Sequence, residues 1–161
     1  MAESETSRAL CDLFNDLISG SSSSGSWVLN REDPGLLKSL DVLTNEQASK
    51  VPIDGGSSIA AHIEHLRYGF QFLNRWWSEG EEPADAGFGA AWRRNTVSQE
   101  DWVALREDLA REALAWRQPL EGSKNSGPGI DAKIASVVHL AYHLGAIRQI
   151  DRSLRGPAAR A

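Results

Sequence analysis

Four stretches of the chain repeat their hydrophobic residues with a helical period, and almost none alternate with the period of a strand. The first runs from about Thr6 to Ser19 and sets Leu10, Leu13, Phe14, Leu17 and Ile18 on one face of an amphipathic helix. The second starts at Ser57 or Ser58, either of which can cap it. Ile59, Ile63, Leu66, Phe70, Leu73 and Trp77 form its stripe, and a neighbouring row of His62, His65, Gly69, Phe72 and Trp76 broadens the apolar face. The third opens at Ser98, with Gln99, Glu100 and Asp101 in a first turn where negative charge complements the helix dipole. Trp102, Leu105, Leu109, Ala113 and Trp116 are its buried row, and Pro119 is expected to stop it. The fourth is capped by Asp131 and reaches about Arg155, where Gly156-Pro157 ends it.

The connections have loop chemistry. Residues 19–33 begin with the low-complexity run S-G-S-S-S-S-G-S and read as a flexible surface connector. A short helix is predicted from Pro34 through Leu36, Leu37, Leu40 and Leu43, before turn signals at Val51-Pro52 and Asp54-Gly55-Gly56. A loop rich in Gly, Pro and acids spans roughly Glu79 to Thr96. Four long amphipathic helices with one short extra helix predict an all-α protein, a four-helix bundle in a single domain over 1–161, with 156–161 as a tail.

The fourth helix carries the chemistry. Its inward row is Ser136, His139, His143, Ile147, Ile150 and Leu154, so two imidazoles occupy core positions one turn apart. A buried imidazole needs partners for both nitrogens, and a shared metal ion would satisfy one nitrogen of each ring. The other two histidines, His62 and His65, sit together on the second long helix. One ligand from that helix would complete a three-histidine site with an open position for water or substrate. The apolar face alone leaves His62 and His65 both eligible. No catalytic acid or base stands out. Glu64 is expected to be solvated or paired with a base such as Arg67 or Arg148, and Tyr142 to point away from the histidine row. Trp76 shares the His65 row and is the tryptophan expected near the pocket.

Composition sets bounds on partners. Net charge is −5 without a cluster of Lys or Arg, which argues against a nucleic-acid partner. No apolar run is long enough to cross a bilayer, and the acidic start Met1-Ala-Glu-Ser-Glu is unlike a signal peptide. The single cysteine, Cys11, suits a reducing cytoplasm and reads as a small buried apolar residue.

Two segments, D-G-G-S-S-I-A-A-H-I-E-H-L at 54–66 and H-L-A-Y-H-L-G-A-I-R-Q-I at 139–150, give the chain a family resemblance. It resembles the DinB/YfiT-like superfamily, four-helix bundles that hold a divalent metal with three histidines. The resemblance implies His65, followed by Leu66, as the first ligand, with His139 and His143 as the others and His62 beside them. It also implies Zn or Ni, with Fe as a further candidate, a small-molecule substrate and a homodimer formed through bundle helices. Relatives use low-molecular-weight thiols such as mycothiol or bacillithiol, so the implied activity is a thiol-dependent S-transferase or a related hydrolase. The other reading is a non-catalytic bundle that uses metal structurally or senses a ligand, with His62 as a fourth ligand. Ala146 departs from the family, where many members have Gln after the H-x-x-x-H-x-Gly element.

Overall fold

A computed structural model describes residues 5–21, 27–52, 56–84, 87–123 and 126–158. Among them the structure is all helical. The four long helices are α1 (Glu5–Ser19), α4 (Ile59–Glu79), α6 (Gln99–Glu121) and α7 (Ile130–Ile150). Three short ones, α2 (Gly35–Leu40), α3 (Asn45–Ala48) and α5 (Phe88–Ala91), and a closing 3-10 turn (Arg152–Leu154) complete the order.

The chain divides into two compact units. The first comprises Met1–Val42, Arg117–Ser123 and Gly129–Ala161. Here α1 packs on α2 and on α7, burying Leu10, Cys11, Phe14, Leu17 and Ile18; Leu13 is half-buried. The connection from α1 to α2 is tied down on its far side. The Asp16 carboxylate accepts from the amides of Val28 and Leu29 at 3.0 and 3.1 Å, and Ser21 N–H donates to the Asp33 carbonyl. Gly20 and Gly35 meet backbone to backbone, both at positive φ, where any side chain would collide with the other strand of the loop. The expected connector at 19–33 is therefore pinned over 27–33, while 22–26 lie outside the described residues. The Asp33 side chain is 2% exposed and its Oδ1 accepts from both Gly35 N–H and the Arg148 guanidinium.

The second unit comprises Leu43–Trp116 and Lys124–Pro128. Ser58 caps α4, its Oγ accepting from Ala61 N–H, as the sequence predicts. The buried row of α6 is also as predicted: Trp102, Leu105, Leu109, Ala113 and Trp116 are all essentially inaccessible. The Trp102 indole donates to the Leu43 carbonyl at 3.0 Å, so the largest core side chain also has its polar atom satisfied.

Several boundaries differ from the sequence expectation. The short helix expected through Leu43 stops at Leu40, and a separate helix α3 follows, opened by a capping box in which Thr44 and Gln47 bond reciprocally. The loop expected over 79–96 contains α5. Pro119 does not stop α6; it lies inside the final turn, which runs to Glu121 with Leu120 fully buried. A proline so near the C-terminus forfeits a single backbone bond, and burial of Leu120 offsets it. Asp131 is inside the first turn of α7, whose cap is Gly129. That helix ends at Ile150 rather than near Arg155, because Asp151 turns extended and caps the 3-10 turn through its bonds to Ser153. Asp54 and Gly55 of the predicted turn lie outside the described residues.

Candidate metal centre

The sequence from Ile134 to Ile147 contains no Asp, Glu, Lys or Arg, so α7 carries its histidines in an uncharged helical wall. Ser136, His143 and Ile147 of the predicted inward row are buried, and His139 is half-buried. His143 is 1% exposed. Its Nε2 faces that of His139 at 2.8 Å, with the rings edge-on, centroids 4.4 Å apart. At that separation one nitrogen carries the hydrogen and the other accepts it. Burial pushes the His139 pKa down, which favours the neutral form that binds metals.

This geometry fits a divalent ion. Two imidazoles on a tetrahedral zinc, each about 2.0–2.1 Å from the metal, hold their nitrogens about 3.3 Å apart. The observed pair is within about half an ångström of that spacing. Tyr142 is exposed, as expected from its register, although its ring edge also touches His143, centroids 5.1 Å apart.

On α4, His62 and His65 are both buried. Their surroundings come from the α5 region. The Trp92 ring stacks on His65 with centroids 4.5 Å apart and meets His62 edge-on at 5.1 Å. Phe88 approaches His65 at 5.7 Å and also touches Tyr68 and Phe72. Gly87 lies so close to the Tyr68 ring that a Cβ there would overlap it, which lets α5 settle on α4. Burial and the neighbouring His65 push the His62 pKa down to about 4.

Glu64 faces away from this aromatic group into an ionic network. It pairs with Arg67 at 2.7 Å, as the sequence allowed, and with Arg94 at 3.3 Å. Arg94 also reaches Asp101 at 3.1 Å. That network fastens the segment bearing Trp92 to the side of α4. Arg148, the other candidate partner of Glu64, is engaged by Asp33.

Trp76 lies three turns beyond His65, about 16 Å along the helix axis, and pairs with Phe72. Trp92 and Phe88 are rings that pack against His65. Both fall in the stretch where the sequence predicts a loop, and a tryptophan four residues after a phenylalanine is the sign in the sequence of a helical, apolar side there.

Among the described residues no helix is long and apolar enough to cross a membrane. Among the described residues, all-helical apart from loops and turns, α4 presents His65 and α7 presents His139 and His143 as candidate metal ligands. No curated protein and no solved structure matches the chain. A family model does: the one describing the DinB superfamily matches residues 29–147, a span that holds all four histidines and most of the chain, and the chain belongs to that superfamily.

Proposed function

We propose that the protein is a divalent-metal-dependent enzyme, a thiol-dependent S-transferase or related hydrolase, acting on a small molecule at His65, His139 and His143. The observation that carries this reading is the His139–His143 pair, whose Nε2 atoms face each other at 2.8 Å from successive turns of one helix. The choice of His65 as third ligand is supported by the match to the DinB superfamily model, whose span of 29–147 holds all three histidines. Zn or Ni suits three imidazole donors, with Fe as a third candidate. The bound ion would supply Lewis acidity and lower the pKa of a coordinated water or thiol.

The chain's own residues have separable roles in this account. His139 and His143 hold the ion from α7, and His65 adds the third nitrogen from α4. The stacked Trp92 ring fixes the plane of the His65 imidazole and keeps water from its face. His62 remains uncharged near neutral pH and adds no repulsion to a bound cation. A cytoplasmic setting, where low-molecular-weight thiols are reduced, goes with this chemistry.

A second reading has an observation of its own. His62 is a buried neutral imidazole one turn from His65, and as a fourth ligand it would close the site and make the metal structural. Assay of the Zn- or Ni-loaded protein with a low-molecular-weight thiol and a small electrophile tests the enzymatic reading. Thiol consumption that His143→Ala abolishes is the expected result. A metal-loaded protein inert towards a panel of thiols and electrophiles, and loss of metal on His62→Ala, would favour the structural site.

A further inference from the structure

A cleft of about 280 Å³ lies beside the C-terminal half of α7, on the side away from the histidine pair. Arg148, which lines it, follows His139 by nine residues and so points half a turn round the helix from it. A second wall is the segment Val28, Leu29 and Asn30, and a third is Arg155, Gly156 and Pro157. Asn30 Nδ2 donates to the Pro157 carbonyl at 2.6 Å, which joins these two walls. Gly156 approaches the Asp33 carboxylate so closely that a Cβ there would overlap it. The segment expected as a tail is thus held against the connector as far as Pro157.

Charge in the cleft is unlike that of the whole chain. Two guanidinium groups, Arg148 and Arg155, line it with one carboxylate, Asp33, a surplus of one positive charge in a protein of net charge −5. Asp33 does not exhaust Arg148. Its Oδ1 takes one bond, from Nη2 at 2.7 Å, and Nε is buried without an acceptor among the described residues. Arg155 is exposed and bonds to the neutral Gln149 amide at 3.1 Å. Gly145 lines the cleft as well. A glycine in a helix interior costs about 1 kcal/mol relative to alanine, and packing within the chain does not require this one, since a Cβ would have no atom within 4 Å. Its missing side chain keeps the α7 wall open down to the backbone.

We propose that this cleft binds a small organic acid, its carboxylate on Arg148 and Arg155 and its apolar body against Val28, Leu29 and Pro157. Guanidinium groups take a carboxylate through charge-assisted hydrogen bonds in a planar fork. The single surplus charge matches a monoanion, whereas a phosphate dianion would exceed it. Ligand sites join apolar walls to a few converging polar groups, and about 280 Å³ is at the small end of their range. The acid is therefore compact, of the size of benzoate rather than of a long-chain lipid. The cleft faces away from the histidine pair, so binding there needs no metal and does not rest on the enzymatic reading.

Amide NMR spectra of the protein, with and without added Zn²⁺, titrated with benzoate test this. Benzamide is the uncharged match and inorganic phosphate the competing anion. The expected result is saturable shifts of the Leu29, Gly145 and Gly156 amides at millimolar benzoate, the same with and without Zn²⁺, and none with benzamide. Arg155→Gln, at an exposed position, should weaken binding about tenfold through loss of one charge-assisted contact. Gly145→Leu, whose Cβ meets no neighbouring atom, should fill the cleft and abolish binding, with circular dichroism as the check that both variants fold. Absence of saturable shifts overturns the proposal. So do shifts confined to the amides around His139 and His143, an equal response to benzamide, tighter binding of phosphate than of benzoate, or full affinity in the two variants.

Discussion

Trp92 lies flat on His65, ring centroids 4.5 Å apart and planes 28° from parallel. The same indole meets His62 edge-on, so one side chain from the α5 region desolvates both histidines of α4. Trp92→Ala should therefore expose them together. In the metal-free protein the His62 pKa should climb from about 4 towards the ordinary 6.5, because burial is the larger cause of its depression. Urea unfolding should show a loss of about 2 kcal/mol, less than a fully buried tryptophan would cost, since Trp92 is half-buried. NMR titration of the imidazole protons measures the first effect. An unchanged His62 pKa would contradict this placement of Trp92.

What the sequence revealed and what it hid follow from the same physics. The α6 row from Trp102 to Trp116 is legible because charged and polar residues make up most of the positions between, so periodicity orients the helix. The histidine row of α7 was legible through its spacing, although that helix is apolar nearly all round and its outward line of Ile130, Ile134, Val138 and Tyr142 looks no different in composition. Trp92 was hidden because helix α5 is only four residues long, too short for any period to show, and its place on His65 is a long-range contact. Pro119 does not end α6 because proline breaks helix interiors, whereas this one lies in the last turn. Thr44 and Gln47 carry a capping signature, but the helix that follows is only four residues long, too short to add a periodic pattern to it.

His62 should also make stability depend on pH. Its pKa is depressed on folding, so the unfolded chain binds the proton more readily. Above about pH 6.5 the group is neutral in both states and costs nothing. As pH falls from 6.5 towards 4, the metal-free protein should lose stability, by at most about 3 kcal/mol. His62→Leu should flatten that part of the profile. Urea midpoints for both proteins in chelator at pH 7 and pH 4.5 give the comparison, and parallel profiles would remove His62 as the cause.

Asp33 is a buried carboxylate shared by the Gly35 amide and the Arg148 guanidinium, at 2.9 and 2.7 Å. Removing one partner leaves the other buried and uncompensated. Arg148→Met should destabilise the protein by about 3–5 kcal/mol, while the double variant with Asp33→Asn should recover part of that loss. Chemical denaturation of the two singles and the double measures the coupling. Additive effects would mean that the ion pair does not hold the pinned loop.

Metal content, measured by elemental mass spectrometry on untagged protein reconstituted with Zn²⁺ or Ni²⁺, tests the central claim most directly. The account predicts one equivalent in the wild type and in His62→Ala, and none in His65→Ala or His143→Ala, with helical content retained in all. A wild type that binds no metal, or a His143→Ala variant that keeps a full equivalent, would contradict it.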